Sequence, residues 1–309
     1  MHIRTAAAAP GPDLVHLRSA ALVVLAGLLW SMGGVLVKLV EAADPIQIVL
    51  YRSLFVIPVV VGFMAARNGE APFASLRAVG WNGILGGLCL AVAFITFVTA
   101  LTLTTVANAV FVLATTPFLA ALLGRLVLGE PVRPATWLAM GAAGVGVIVI
   151  AAPGLGPGPI AGTLLALVSC VSFALFSVTL RRGKALDGTP SLLIAAILAA
   201  VICALILMFG RDPTSLAISG HDLIACAVMG IVQIGCGLIA FTAGSRHLPA
   251  ADLTLLAQTE VVLAPVWAWL VIGEVPALWT LVGGAMVLGA VTMQAVAGTR
   301  RSASFEPRP

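Results

Sequence analysis

Ten runs of apolar residues, each about twenty long, follow one another with only short breaks between them. They lie near 19–41, 45–66, 78–101, 104–124, 133–152, 160–180, 190–210, 222–245, 249–272 and 277–297. At 1.5 Å of rise per residue, about 20 residues cross a ~30 Å hydrocarbon core, so each run has the length of a span. Lipid offers no hydrogen bonds to a backbone, which confines such runs to α-helices. The breaks carry turn or charge signals: Asp44-Pro45, Gly129-Glu130-Pro131, Pro153 to Pro159, Arg181-Arg182-Gly183-Lys184 and Arg211-Asp212-Pro213. None is long enough for a soluble domain. The first run is too long for a signal-peptide core and carries Lys38, so it reads as a span that stays. The expected fold is an all-α integral membrane protein with ten transmembrane helices.

Charged residues make up 9% of the 309, against about 25% in soluble domains, which agrees with that reading. Cys89, Cys170, Cys203, Cys226 and Cys236 sit inside apolar runs without metal-ligand spacing and read as small buried hydrophobes. His2, His16, His221 and His247 all avoid the middle of a run, and the twelve acids are scattered. A membrane enzyme needs acids, histidines or a nucleophile–base pair gathered at one interface, so an enzyme is the least favoured class. No Gly-Lys-Ser/Thr phosphate loop is present; energy for transport must come from a gradient.

Lysine and arginine set the orientation. With ten spans and a cytoplasmic N-terminus, one side holds Arg4, Arg18, Arg67, Arg77, Arg125, Arg133, Arg181, Arg182, Lys184, Arg246, Arg300, Arg301 and Arg308. The other side holds only Arg211, while Lys38 and Arg52 lie within spans. That asymmetry predicts both termini in the cytoplasm.

The chain also repeats itself. Thr115-Thr116-Pro117 through Leu128-Gly129-Glu130 resembles Thr259-Glu260 through Ile272-Gly273-Glu274 at an offset of 144. Each stretch contains a proline, Pro117 or Pro265, at positions that do not match. Each is followed by a helix with small residues four apart, Ala142/Gly146 and Ala285/Gly289, suited to close packing. Lys38 stands opposite Arg182 at a similar offset, and Asp44-Pro45 echoes Asp187 and Pro190. Five spans per half is odd, so the second half enters the membrane from the other side, the inverted-topology plan of secondary transporters. The expected divisions are a cytoplasmic tail 1–18, a first five-helix repeat 19–152, a second repeat 160–297 and a cytoplasmic tail 298–309.

Trp30-Ser31-x-Gly33 leading to Lys38, Asp44-Pro45 leading to Arg52, and the helices ending in Gly129-Glu130 and Gly273-Glu274 together resemble the EamA-type family of the drug/metabolite transporter superfamily. The resemblance covers about residues 19–297. It implies a transporter of small metabolites, often an exporter, in the bacterial inner membrane, and leaves the substrate unnamed. One departure is that Arg52 has no basic counterpart in the second half, where the position falls near Ile197.

Glu260 is the strongest candidate for function. It lies about eleven residues into the ninth run, roughly 16 Å along a helix, or about half the hydrocarbon thickness. A carboxylate there is costly unless it faces a wet cavity or a partner, which makes it a functional-site hypothesis by default. Its structural alternative is a pair with Lys38 or Arg52. Asp252, Leu256, Glu260, Ala264 and Trp267 share one helical stripe, matched on the fourth span by Asn108, Val112 and Thr116. Trp30, Ser169, Ser172, Gln233 and Gln258 fall at similar depth. The expected substrate-binding set is Glu260, Gln258, Trp30, Thr116, Gln233 and Arg52, with no catalytic or metal-binding residue. Serines and threonines at that depth often bond their own helix instead. Arg52 can clamp a carboxylate or phosphate, or lock helices by bonding carbonyls. Lys38 and Glu41, three apart, are expected to pair locally with the lysine snorkelling. Pro117 and Pro265 deprive Leu113 and Val261 of backbone donors and should kink their helices. Glu130 and Glu274 are expected to anchor loops.

The leading function is a secondary carrier of a small polar metabolite working by alternating access. A lipid-linked substrate flippase is the alternative. Partners are a small-molecule substrate and the lipid bilayer, with a homodimer left open; neither a cofactor nor nucleic acid is expected.

Overall fold

In the computed structural model, the described residues are 12–68, 76, 79–132, 134–152, 157–183, 188–210, 216–245, 248 and 250–302, and they contain helices and turns but no strand. The helices are α1 (Pro12–Ser31), α2 (Gly33–Lys38), α3 (Pro45–Asn68), α4 (Gly80–Leu103), α5 (Val106–Leu113), α6 (Thr116–Leu128) and α7 (Pro134–Ala151). Then come α8 (Pro157–Arg182), α9 (Thr189–Gly210), α10 (Gly220–Val228), a π-helical segment Met229–Cys236, α11 (Gly237–Ser245), α12 (Ala250–Ile272) and α13 (Leu278–Ser302). Among the described residues, eight stretches are long and apolar enough to cross a membrane, from Val15–Lys38 to Gly220–Ser245. Two shorter apolar stretches, Leu256–Ile272 and Leu278–Gln294, lie within α12 and α13.

The bases Arg4, Arg77, Arg133, Lys184, Arg211, Arg246 and Arg308, together with His2, His247 and Asp187, lie outside the described residues, as do the side chains of Asp252, Arg300 and Arg301.

Large apolar side chains cover the outside. Trp81, Leu138, Ile148, Phe209 and Leu270 are all exposed, as a lipid-facing surface requires. The interior is built from smaller residues, which let the helices approach closely. Gly146 and Gly283 face each other where α7 meets α13; a Cβ on Gly146 would come within 2.8 Å of the Gly283 carbonyl oxygen.

Packing follows the repeat. The first span, α1–α2, lies against α12 and α11, while its counterpart α8 lies against α5–α6 and α4. The equivalents α3 and α9 pack on each other, as do α7 and α13. The Gly-Glu ends match in atomic detail. Gly129 (φ 71°) and Gly273 (φ 66°) adopt the left-handed conformation that glycine reaches without strain. Glu130 N–H then closes on the Gly124 carbonyl and Glu274 N–H on that of Ala268, six residues back in each half, so that the turn satisfies a terminal carbonyl of the helix.

The spans are less regular than their hydropathy suggests. Helix α1 already begins at Pro12, inside the stretch read as a tail. The fourth span is broken, not merely kinked, at Ala114–Thr115. Pro117 sits in the first turn of α6, where its missing N–H costs nothing. The Leu113 carbonyl expected to be orphaned accepts from Thr116 Oγ1 at 2.5 Å. By contrast, α12 runs on through Pro265.

Candidate functional site

Glu260 is the eleventh of the 23 residues of α12 and is partly exposed. Among the described residues its carboxylate has no hydrogen bond and no ion pair. The structural alternative of a pair with Lys38 or Arg52 is absent. The first span passes close beside it, because Gly27 presents no side chain: a Cβ there would stand 3.1 Å from Thr259 Cβ and 3.4 Å from the Glu260 nitrogen.

One turn further along the first span, Trp30 and Gly33 meet the π segment. Gln233 Nε2 donates to the Trp30 carbonyl at 3.3 Å, and a Cβ on Gly33 would collide with that amide at 2.7 Å. The carbonyl can only accept, so the amide nitrogen faces it and Oε1 is left buried without a partner. The Trp30 ring rests on Gly237 and lies 5.3 Å, centroid to centroid, from Phe241. Trp267 Nε1 donates to Ser31 Oγ at 3.0 Å, tying α12 to the first span outside the Glu260 level. Glu260, Gln233 and Trp30 thus gather around residues 27–33, at the contact of α1, α11–α12 and the π segment. Gln258 is partly buried two residues before Glu260 and is bonded within the protein.

Arg52 lies on the other flank of the π segment. Its guanidinium sits 5.0 Å above the Phe94 ring centroid, and burial leaves Nε and Nη2 without partners. Its own carbonyl would be 2.6 Å from a Cβ on Gly230, so the π segment presses directly on α3.

Thr116 is not brought to this group. Its hydroxyl turns to Leu113 and lies 3.1 Å from Cys170 Sγ on α8. Ser169 likewise bonds the Ala93 carbonyl at 2.9 Å. Asn108 Nδ2 joins Thr104 Oγ1 at 2.6 Å and Thr163 Oγ1 at 2.9 Å.

Lys38 does not pair with Glu41. It reaches across the repeat boundary to Glu274 (3.7 Å) and to the Thr104 carbonyl (3.0 Å), and Glu41 is exposed. Glu274 also accepts from Val106 N–H at 2.6 Å, so it caps the start of α5. The related contact in the other half uses Arg181, not Arg182: Arg181 Nη1 bonds Glu130 at 2.6 Å and Nη2 the Ala120 carbonyl at 2.9 Å. One residue turns a helix by about 100°, which carries Arg182 off that face. Both glutamates anchor helix ends.

Sequence reasoning missed Asp222. At the start of α10 it is enclosed and accepts from the backbone N–H groups of Glu41 (3.0 Å), Ala42 (3.0 Å) and Ala43 (2.9 Å). Ser219 caps the same helix through Asp222 N–H, at 3.1 Å. The Ser-x-x-Asp spacing was a visible capping signal; its long-range partners were not.

The EamA-like transporter family matches residues 17–152 and again 160–295. The chain belongs to that family. It is therefore a member of the drug/metabolite transporter superfamily and a multi-pass membrane protein with two family repeats. The pseudopaline exporter CntI of Pseudomonas aeruginosa (strain UCBPP-PA14) is 25% identical over 274 residues, covering 86% of this chain and 92% of the relative. Solute carrier family 35 member G1 of Homo sapiens is 26% identical over 284 residues, covering 85% and 74%. A protein of known crystal structure aligns with a TM-score of 0.63 at 19% identity, covering 92% of this chain and 98% of its own, which shows a shared fold. The Trp-Ser-x-Gly and Gly-Glu signals of this family member therefore sit at helix contacts and helix caps.

Proposed function

We propose that this protein is a secondary-active carrier that exports a small polar metabolite from a bacterial cell. It works by alternating access between two inverted repeats of five spans each. The observation that carries this reading is Glu260: a residue halfway along α12 whose backbone abuts the first span, and so the boundary between the repeats, and whose partly exposed carboxylate has no partner among the described residues. Binding sites at such boundaries are the rule in inverted-repeat transporters. The exporter and the solute carrier among the relatives support a small solute as cargo. Glu260, Gln233, Trp30 and Gln258 form the binding group near the first span, and Arg52 contributes from α3. Thr116 contributes through the shape of the α5–α6 break, since its hydroxyl is turned inward. The protein resides in the inner membrane with both termini in the cytoplasm.

Counterflow in reconstituted vesicles tests the proposal. Vesicles preloaded with a substrate should take up the labelled compound faster than empty ones, and Glu260→Ala should abolish the difference. Equal uptake with and without preloading, for every compound that binds the protein, would sink the carrier reading.

A further inference from the structure

Two ion pairs tie one repeat to the other, and they stand at the ends of equivalent spans. Lys38 ends the first span and meets Glu274 at 3.7 Å; Arg181 lies at the end of the sixth and meets Glu130 at 2.6 Å. Each base also holds a backbone carbonyl, Lys38 that of Thr104 at 3.0 Å and Arg181 that of Ala120 at 2.9 Å. From Lys38 to Arg181 the chain runs through the second to the sixth spans, an odd number of crossings. The two pairs therefore lie at opposite faces of the membrane, and both are made in this structure.

The bonds around Lys38 show where this face can part. The connector just beyond it is held by α10: Asp222 accepts from the N–H groups of Glu41, Ala42 and Ala43. Behind the connector, Gln47 Nε2 donates to the Ala217 carbonyl at 3.0 Å and the Tyr51 hydroxyl donates to that of Leu216. A carboxylate enclosed by several N–H donors is a strong tie. Across the seam, Lys38 and Glu274 are both partly exposed, and such a pair contributes little to stability. The end of the first span thus belongs with α3 and α10, and its link to α12 is the weaker one. Further in along the same seam, the Trp267–Ser31 bond joins α12 to the first span.

We infer that Lys38–Glu274 and Arg181–Glu130 are reciprocal gate locks, each released when the protein opens to its own side and kept when it opens to the other. The inference rests on the carrier reading and deepens it by naming the contacts that exchange. In the proposed orientation Lys38–Glu274 locks the extracytoplasmic face and Arg181–Glu130 the cytoplasmic one. Weak pairs suit this task, because binding of a ligand can shift an equilibrium only by its differential affinity for the two states. Equivalent pairs at both faces keep the two open states close in energy. The same glutamates finish their helices, and Glu274 also accepts from Val106 N–H, so a test has to separate the charge from the cap.

Glutamine does so, since its carbonyl oxygen still accepts from the backbone but carries no charge for the base. Full-length wild type, Glu274→Gln and Glu130→Gln in lipid nanodiscs are compared by hydrogen exchange with mass spectrometry, which reports local opening. In Glu274→Gln, exchange in residues 103–108 and 272–278 should rise at least about threefold, while exchange in residues 121–130 and 176–183 at the opposite face should fall. Glu130→Gln should give the mirror image. Lys38→Met should reproduce the changes of Glu274→Gln, and adding it to Glu274→Gln should give little more, because the two residues share one interaction. If Glu274→Gln does not fold, Lys38→Met and Glu130→Gln carry the test.

Slowing at the far face is the decisive sign, because a residue that only anchors a helix end has no means of producing it. Faster exchange confined to the altered face, or at both faces together, overturns the inference, and so does wild-type exchange in the folded variants. Counterflow separates the two readings. Reciprocal exchange in a protein that shows no counterflow sinks the carrier alone, whereas counterflow without reciprocity sinks the gate locks alone.

Discussion

Replacing Glu260 by Gln should leave the fold intact or firmer while removing energy coupling. Gln keeps the shape and hydrogen-bonding capacity of the acid but cannot ionise. An ordinary buried acid in a structural ion pair would cost several kcal/mol to neutralise, because its partner would be stranded. Glu260 has no such partner among the described residues, so nothing is stranded. An ionised acid at a helix centre costs about 2.5–3.5 kcal/mol on the membrane-insertion scale, and partial exposure reduces that figure. The expected change is therefore between zero and about 3 kcal/mol of added stability, read as an unchanged or higher melting temperature in detergent. Function should move the other way. In one-for-one exchange with a proton, each unit of pH difference supports about tenfold accumulation, or about 1.4 kcal/mol. Vesicles bearing Glu260→Gln should exchange substrate at equal pH yet accumulate none under that gradient. If Glu260 instead serves only to bind a cationic group, the variant loses binding of cationic substrates at every pH. A destabilised variant, or one with wild-type affinity and gradient response, would refute the reasoning and leave Glu260 as a structural acid.

Asp222→Ala leaves three backbone N–H groups of residues 41–43 without their acceptor and should cost about 2 kcal/mol, measurable as earlier unfolding in denaturant titrations. Reporter fusions check orientation: one placed after Gly183 should read cytoplasmic and one after Gly156 extracytoplasmic, and the reverse at both sites would contradict the inverted arrangement. Gly283→Leu should separate α7 from α13 and cut accumulation in the membrane, since even a Cβ there would meet backbone of Gly146 and Ile150. Accumulation at wild-type level would show that this contact is dispensable.

The layout was legible in the sequence because hydrophobic length and the Gly-Glu echo are properties of local residue order. The left-handed φ at Gly129 and Gly273 is a conformation that glycine allows where a helix ends. Glu260 stood out for a similar reason, since any acid in the middle of an apolar run is conspicuous. What escaped reading depends on three-dimensional choice among near-equivalent partners. Lys38 could bond Glu41 one turn away or Glu274 across the molecule, and only packing brings Glu274 within 3.7 Å. The break at Ala114–Thr115 was hidden because Pro117 is compatible with both a kinked helix and a fresh first turn. Thr116 looked like a cavity residue by depth, and depth carries no information about the direction of a hydroxyl. The π segment had no signature beyond glycines at Gly230 and Gly235, whose close neighbours on α3 become visible only in the fold.

The two halves share a backbone plan but differ in charge, and that difference has a mechanical meaning. At the 144 offset Glu260 corresponds to Thr116, and the two helices resolve their irregularity in opposite ways. In the fourth span the break is stapled shut, with Thr116 and Thr115 bonded to the Leu113 and Val112 carbonyls and Cys170 filling the gap. In α12 the helix stays continuous and carries an unsatisfied acid instead. Likewise Arg52 is a buried cation in the first half of α3, while Ala196 and Ile197 at the equivalent place on α9 are apolar. Matched backbones give an inverted repeat two conformations of similar energy, as alternating access requires. Mismatched charges let one bound ligand bias that balance, because only a differential interaction with the two states can shift it. A carrier built with equal charges in both halves would have two sites and no preferred one. In the carrier proposed above, an acid on α12 and a base on α3 without charged counterparts in the other half would let a bound substrate or proton favour one of the two states.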